Sequence, residues 1–533
     1  MVSNTWGYIG NWYSDSVGTV TVTDEGSEWN NSGSLHVGGS GEGTLNIEGG
    51  GTVNVDRDTW VAKEAGPSDV INFDNGTLNT GGLVSSPSNL QGTGTINTHG
   101  LVSDVNLIFD RPSSLSQSWV LNDPGQNITL NLEVDGTGSI GAGYKGTATL
   151  QIAGGVAVES LMGYLGHGAG SNGTAFVVGE GSKWNNSEDL IVGEHGTGTL
   201  NIEAGGVVSS SMGYIGGHQN YPYGASDSVG TVTVTGEGSE WNNSSNLTVG
   251  NQGTGTLNIT NEGTVNVGGN TWVANYAGSS GVINLDNGTL NTDGLFSSLD
   301  NLRGTGTINT HNLVSDIDLI FDHPFSFVQS WALDGPGQNI SLNLHLVTTF
   351  PETGSLGVGH SDSATMQITG GAYVQSRDGF LGYQAGSSGT AFVVGEGSEW
   401  NNTGSLYVGR FGNGTLNIEA GGVVSSLMGY IGGHQNYPYG ASDSVGTVTV
   451  TGEGSEWNNS GWLEVGGYEG EGTLNITEGG VVRNSSGYIG SQEGSVGTVT
   501  VSGEGSEWNN SEGLTVGDAG NGTLNIMAGR CGF

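Results

Sequence analysis

The stretch GTVTVTGEGSEWNNS occupies residues 230–244, and its last nine residues, GEGSEWNNS, return verbatim at 452 and 503. Close variants stand at 24 (DEGSEWNNS), 179 (GEGSKWNNS) and 395 (GEGSEWNNT). A catalytic centre is normally written once, so a motif written six times points to architecture. Within GTVTV, Val alternates with Thr, the period-two pattern of a strand with one buried face. The Gly-Glu-Gly that follows is corner sequence, because glycine supplies the positive φ that tight turns require.

The motif tryptophans are Trp29, Trp184, Trp241, Trp400, Trp457 and Trp508, spaced by 155, 57, 159, 57 and 51 residues. Two inserted blocks account for the long steps, and they are copies of one another. DNGTLNTGGLVSSPSNLQGTGTINTHGLVSDVNLIFD at 74–110 matches DNGTLNTDGLFSSLDNLRGTGTINTHNLVSDIDLIFD at 286–322, and GGHQNYPYGASDSVGTVTV recurs 216 residues on. A superunit of about 215 residues is therefore duplicated. Each short unit divides again: GYIGSQEGSVGTVTVSGEGSEWNNS (487–511) and DLIVGEHGTGTLNIEAGGVVSSS (189–211) share one plan of three short strands joined by Gly-rich turns. A period in this range is the signature of a solenoid.

One such turn of chain cannot bury its inner face alone. Stacked turns pair in parallel at ~4.8 Å, cover a continuous core and satisfy the backbone of all but the end strands. The expected fold is all-β, a right-handed parallel β-helix (β-solenoid) of roughly 22 rungs of about 24 residues, on the order of 100 Å long. It is read as one continuous solenoid over 1–533: a short unit at 7–56, one insert block at 57–162, two short units at 163–268, the second insert block at 269–378, and three short units at 379–533, the last truncated.

Composition narrows the function. Ten Lys+Arg against 51 Asp+Glu give a formal charge of −41, which excludes a nucleic-acid partner, since phosphate binding needs clustered cations. No run approaches the ~18 apolar residues of a membrane helix, so no direct membrane insertion is expected. Glycine contributes 103 of 533 residues, against a usual ~7%. The one cysteine, Cys531, allows no intrachain disulfide, which suits a reducing compartment or export in the unfolded state. No signal peptide is visible, and the chain starts and stops inside its own repeat, so it is read as a fragment ending on an atypical MAGRCGF.

The combination GYIG, GTVTVTGEGSEW, LxVG and GTLNIxxGG resembles the repeat of autotransporter (type V secretion) passenger domains and of PEP-CTERM-associated bacterial surface proteins, and the LxGTGTINTxxLVSD inserts are similar to passenger sequence. The resemblance implies a right-handed parallel β-helix, extracellular or displayed on a bacterial cell surface. A translocator barrel and a PEP-CTERM sorting tail are both absent from these residues.

The motif tryptophan aligns with the second valine of GGVV, such as Val208, and is expected in an inward ladder that alternates Trp with Val. The competing reading is an exposed sugar platform. The motif glutamates Glu28, Glu240, Glu456 and Glu507 are read as solvated flanks that oppose association. Calcium is disfavoured, because GGSGEGTLN at 38–46 has Gly43 where a calcium roll needs Asp. The Asn-Asn-Ser ending supplies amides that can stack along the coil. Asn291-Thr292-Asp293-Gly294 and Gly166-His167-Gly168 resemble polygalacturonase motifs, but their order is wrong, and the duplicate has Gly81 and Tyr383 at the positions of Asp293 and His167. Asp316 and Asp318 are a better chemical pair, sharing a strand face at ~6.7 Å. The other copy has Asp104 and Asn106, which favours a solvated face. No catalytic residues, metal site or cofactor are expected.

What breaks the repeat is the aromatic loop HQNYPYGAS at 218–226 and 434–442. Insertions in solenoids map to one face and often carry recognition, so Tyr221, Tyr223, Tyr437 and Tyr439 are the residues chosen for a ligand contact, against the competing reading of a self-packed Ω-loop. The expected function is a non-enzymatic adhesin or structural stalk whose partners are glycans, matrix, cell-surface receptors or further copies of itself. A polysaccharide-degrading β-helix enzyme is the alternative, and an ice-binding face, suggested by TVTVT, is a weaker one.

Overall fold

The computed structural model describes residues 1–10, 13–63, 69–218, 227–276, 278–324, 328–346, 354–433 and 444–527. The chain divides into two compact units, Met1–Asn291 with Arg303–Gly306, and Thr292–Leu302 with Thr307–Phe533. Among the described residues the strands, joined by turns and bends, are accompanied by three short 3-10 turns, at Pro87–Asn89, Pro112–Leu115 and Leu299–Asn301, and by no α-helix.

Each unit is a parallel β-helix. In the first, one rung is Gly213–Ile215, Val229–Thr235 and Glu240–Asn243. The next rung lies on it in parallel, with Gly213 opposite Leu247, Val232 opposite Leu257, Val234 opposite Ile259 and Trp241 opposite Val265. In the second unit Ser405–Val408, Asn413–Glu419 and Val423–Ser426 are followed in the same manner by Met428–Ile431, Val445–Thr451 and Glu456–Asn459. The alternation read in GTVTV sets the faces: Val232 and Val234 are fully buried while Thr231 and Thr233 lie half-buried outside. The corner between second and third strands turns on Gly236 and Gly238, at φ +94 and +75, where a Cβ would strain the backbone.

The third strand holds the tryptophans. Trp184 pairs with Val208 and Val208 with Trp241 in one unit, and Trp400, Val424, Trp457, Val482 and Trp508 follow one another in the other. Trp184, Trp241, Trp400 and Trp457 are fully buried, Trp29 is 8% exposed and Trp508 is half-buried. Each of the four fully buried indoles finds a hydroxyl in the rung before it, while Trp29 donates to Asn4 Oδ1. Trp184 Nε1 donates to Ser160 Oγ at 3.0 Å, and Ser160 donates in turn to Asn186 Oδ1 at 2.7 Å. Trp400, Ser376 and Asn402 repeat the relay at 3.1 and 2.7 Å. The second Asn of WNN and the Ser that follows GGVV thus belong to the tryptophan, which would otherwise leave a buried N–H unpaired.

The first strand answers the third. Rungs with Trp in the third strand have Gly in the first (Gly7, Gly163, Gly213, Gly379, Gly429, Gly487), and rungs with Val there have Leu (Leu35, Leu190, Leu247, Leu406, Leu463). A Cβ on Gly213 would sit 2.6 Å from Trp241 Cζ2 and 2.7 Å from Asn243 Oδ1. Gly with Trp, then Leu with Val, keeps the volume per rung nearly constant, as a close-packed interior demands.

The inserted blocks depart from three short strands. Val70–Val84 rounds its corner without a break, its register shifting where Asn75 takes φ +58. Asn287, at φ +59, does the same in the copy. Each block also carries an antiparallel hairpin, Ser116–Leu121 with Gln126–Glu133 and Val328–Leu333 with Gln338–His345, which the rung repeat does not announce.

Candidate binding corner

Tyr221, Tyr223, Tyr437 and Tyr439 lie outside the described residues. Both tyrosine loops begin at the corner between first and second strands, just beyond Gly217 and Gly433, so the described site is the floor of that corner.

In the first unit the residue after each corner glycine projects side chains that stack from rung to rung. Tyr144, His167 and Glu194 follow Gly143, Gly166 and Gly193, all at positive φ, and the turns are joined by His167 N–H to Gly143 O and Glu194 N–H to Gly166 O, at 2.9 and 3.1 Å. The His167 ring lies 5.0 Å from Tyr144, 5.4 Å from Trp60 and 5.5 Å from Tyr164. Tyr144 donates through its hydroxyl to the carbonyls of Val61 and Ala62 at 2.8 and 3.0 Å, locking the ring. His167 Nε2 is 3.3 Å from Glu194 Oε2, but without hydrogen-bond geometry, and His167 Nδ1 is buried with no partner. Burial, then the charges of His195, Lys63 and Lys145, pull His167 down to about 3. Burial pushes Glu194 up to about 7, with Lys63 opposing. A neutral imidazole beside a carboxyl that holds its proton near neutrality is a packed pair of low charge. Among so few cations, Lys63 and Lys145 both sit here, with Nζ 5.1 Å from the Trp60 ring and 6.0 Å from that of Tyr144.

In the second unit the same positions, 216 residues on, carry different chemistry: His360 for Tyr144, Tyr383 for His167 and Arg410 for Glu194. Arg410 Cζ lies 4.7 Å from Tyr383, 4.9 Å from Phe411 and 5.3 Å from Phe380. Phe380, Tyr407 and Tyr430 stack in steps of 5.1 Å at 4°. His360, stacked on Tyr383 at 5.2 Å, is held by burial at about 4, with Asp316 opposing. The corner thus keeps its rings but exchanges Glu194 for Arg410 between the two copies. The sequence carried one signal for this, the Tyr383-for-His167 exchange between duplicates.

The other candidates are occupied by the coil itself. Asp316 Oδ1 accepts the backbone N–H groups of Ser361 and Asp362 at 2.9 and 3.0 Å, and Asp318 accepts that of Thr365 at 2.7 Å. Asp104 and Asn106 do the same for Gly146 and Thr149, at 2.7 and 2.8 Å. These side chains therefore stitch one rung to the next from a solvent-exposed face. The motif glutamates Glu240, Glu456 and Glu507 accept from the Asn two residues on, at 3.0–3.1 Å, and Glu456 also pairs with Arg483 at 2.9 Å. Asp293 faces His311 at 3.3 Å on an exposed edge, far in sequence from His167, which belongs to the other compact unit. Among the described residues no three His, Cys, Asp or Glu side chains gather closely enough to hold a metal, and no helix is long and apolar enough to cross a membrane.

No protein-family model matches the chain, and no curated protein matches it. Among solved structures it is similar, at 12% identity, to the crystal structure of a TibC-catalysed, hyper-glycosylated fragment of TibA spanning residues 55–350; the match covers 90% of this chain and 100% of that one, with a TM-score of 0.17. So loose a superposition bears on neither fold nor function.

Proposed function

We propose that this chain is a non-enzymatic, passenger-type repeat protein, secreted from or displayed on a bacterial cell, that attaches to polysaccharide through the tyrosine loops at 218–226 and 434–442. The observation that carries the reading is the use of its best acid pair within the coil: Asp316 and Asp318 hold backbone N–H groups of the following rung, a structural role. The repeat resemblance supports export. The tyrosines of the inserted loops support recognition, because insertions in solenoids map to one face and often carry contacts, and aromatic rings suit the flat apolar faces of sugars.

The test is retention of the full chain on immobilised polysaccharides, with the supernatant assayed for new reducing ends. Retention without product, lost when Tyr221, Tyr223, Tyr437 and Tyr439 are changed together to Ala, is the expected result. Release of reducing sugar that Asp316→Ala abolishes would overturn it.

A further inference from the structure

The two copies of the corner differ where the strand beside them is conserved. VGEHGTGTLNIEAGG at 192–206 becomes VGRFGNGTLNIEAGG at 408–422, so Glu194-His195 is exchanged for Arg410-Phe411 while TLNIEAGG is kept. The lysines of the first corner are exchanged too, Lys63 for Asn275 and Lys145 for Ser361. Arg410 is held unlike four other arginines of the chain. Arg57, Arg111, Arg377 and Arg483 each meet a carboxylate, at 2.9–3.7 Å. Arg410 meets none among the described residues. Its Cζ lies among the rings of Tyr383, Phe411, Phe380 and Tyr407 at 4.7–6.0 Å, and its Nε is buried without a hydrogen-bond partner. Rings that hold a guanidinium by its faces leave the N–H edge of the fork for an acceptor. The backbone beneath is fixed, Arg410 N–H donating to Gly382 O at 3.1 Å and Gly433 N–H to Gly409 O at 3.0 Å. Phe380 and Tyr383 are buried, whereas Arg410 and Phe411 are half-buried, so solvent reaches this one cation and the ring beside it.

We propose that Arg410 and Phe411 form a subsite for a uronic-acid residue of the bound polysaccharide, with the sugar carboxylate on the guanidinium and an apolar face of the sugar against Phe411. A planar carboxylate is the anion that the guanidinium fork matches with two parallel hydrogen bonds, and an aromatic ring beside it suits the C–H face of a pyranose. The net charge sets how densely such groups occur on the ligand. A chain that carries −41 repels a polymer charged at every sugar, so the uronates are sparse on an otherwise neutral polysaccharide. The proposal rests on the polysaccharide reading and names the class of polysaccharide that the second unit selects.

Retention of the full chain on immobilised amylose, cellulose and galactomannan, each before and after sparse oxidation of its primary hydroxyls to carboxylates, tests it. On a polymer that retains the chain, the oxidised form should bind about tenfold more tightly, the strength of one charge-assisted pair. Arg410→Gln should remove that preference and leave retention on the unmodified polymer unchanged, which shows that the variant folds. Arg410→Lys, which keeps the charge without the fork, should keep part of it. The preference should also fade with added salt, which a role confined to packing the rings would not produce. Equal retention of both forms by the wild-type chain, or a preference that survives Arg410→Gln, would overturn the subsite and leave polysaccharide attachment standing. Tighter retention on fully oxidised polymer than on the sparsely oxidised one would overturn the spacing argument and the proposal with it. Retention on neither form of any polymer would sink the attachment reading and this one together.

Discussion

At the scale of single residues, the tryptophan of each alternate rung is made possible by what the rung omits. Gly213 leaves the space that Trp241 fills, with the missing Cβ 2.6 Å from the indole. Gly213→Leu should therefore destabilise the first unit by about 1–3 kcal/mol or more through overpacking, and Trp241→Ala by about 3–5 kcal/mol through the cavity it leaves. Joined as Gly213→Leu/Trp241→Val, which rebuilds the Leu-with-Val rung, the changes should cost less than the sum of Gly213→Leu and Trp241→Val measured singly by denaturant unfolding. Additive costs would show that the two positions do not share volume. Glu194 makes a second prediction. Its folded value of about 7 lies above its ordinary 4.5, so its contribution is present at low pH and lost as pH rises through about 7. His167, pulled down to about 3, acts oppositely, adding stability as pH climbs towards its ordinary 6.5. The stability difference between the wild-type chain and Glu194→Gln isolates the first effect. It should shrink by on the order of 2–3 kcal/mol between pH 4.5 and 8, and a difference that stays flat with pH would refute the assignment.

At the scale of elements, the outer faces are tied by amide ladders running across the strands. Asn54 donates to Asn30, Asn79 to Asn54, Asn97 to Asn79 and Asn131 to Asn97, all at 2.7–2.9 Å, and Ser118 of the hairpin caps the series at 2.7 Å. Every interior amide gives one bond and takes one, so its neighbours depend on both of its atoms. Asn79→Asp removes the donor and sets a carboxylate oxygen against Asn54 Oδ1. It should cost more than Asn79→Ala, for which about 1 kcal/mol is expected, as read from unfolding midpoints; equal costs would mean the ladder is solvated and energetically idle. The Asn-Asn-Ser ending revealed that amides recur along the coil. Which of the two Asn side chains faces out was legible from period two, since Asn242 follows inward Trp241. That the inward Asn243 serves the serine relay was not, because its partner Ser210 lies a full rung earlier, across the tyrosine loop.

At the scale of the molecule, acidic charge is spread thinly over a surface made mostly of Asn, Ser and Thr, and the few cations are placed where rings or carboxylates receive them. Arg410 lies among aromatic faces, Arg483 on Glu456 and Arg57 on Glu188 at 3.6 Å. Duplication repeats the scaffold and lets the corners diverge, as the exchange of Glu194 for Arg410 illustrates. Period-two alternation, corner glycines and the spacing of GEGSEWNNS determined by themselves that this chain coils as stacked parallel strands, because a repeated strand can bury its apolar face only against its own next copy. Tertiary structure alone decided the antiparallel hairpins at Ser116–Glu133 and Val328–His345, the meeting of His167 with Glu194, and the use of Asp316 and Asp318 as rung-to-rung acceptors. The hairpins are local in sequence but depart from the three-strand plan of the rung, whereas the side-chain contacts join residues one rung or more apart, and no local pattern records them, since stacking sets which side chains stand above one another only after every intervening turn has closed.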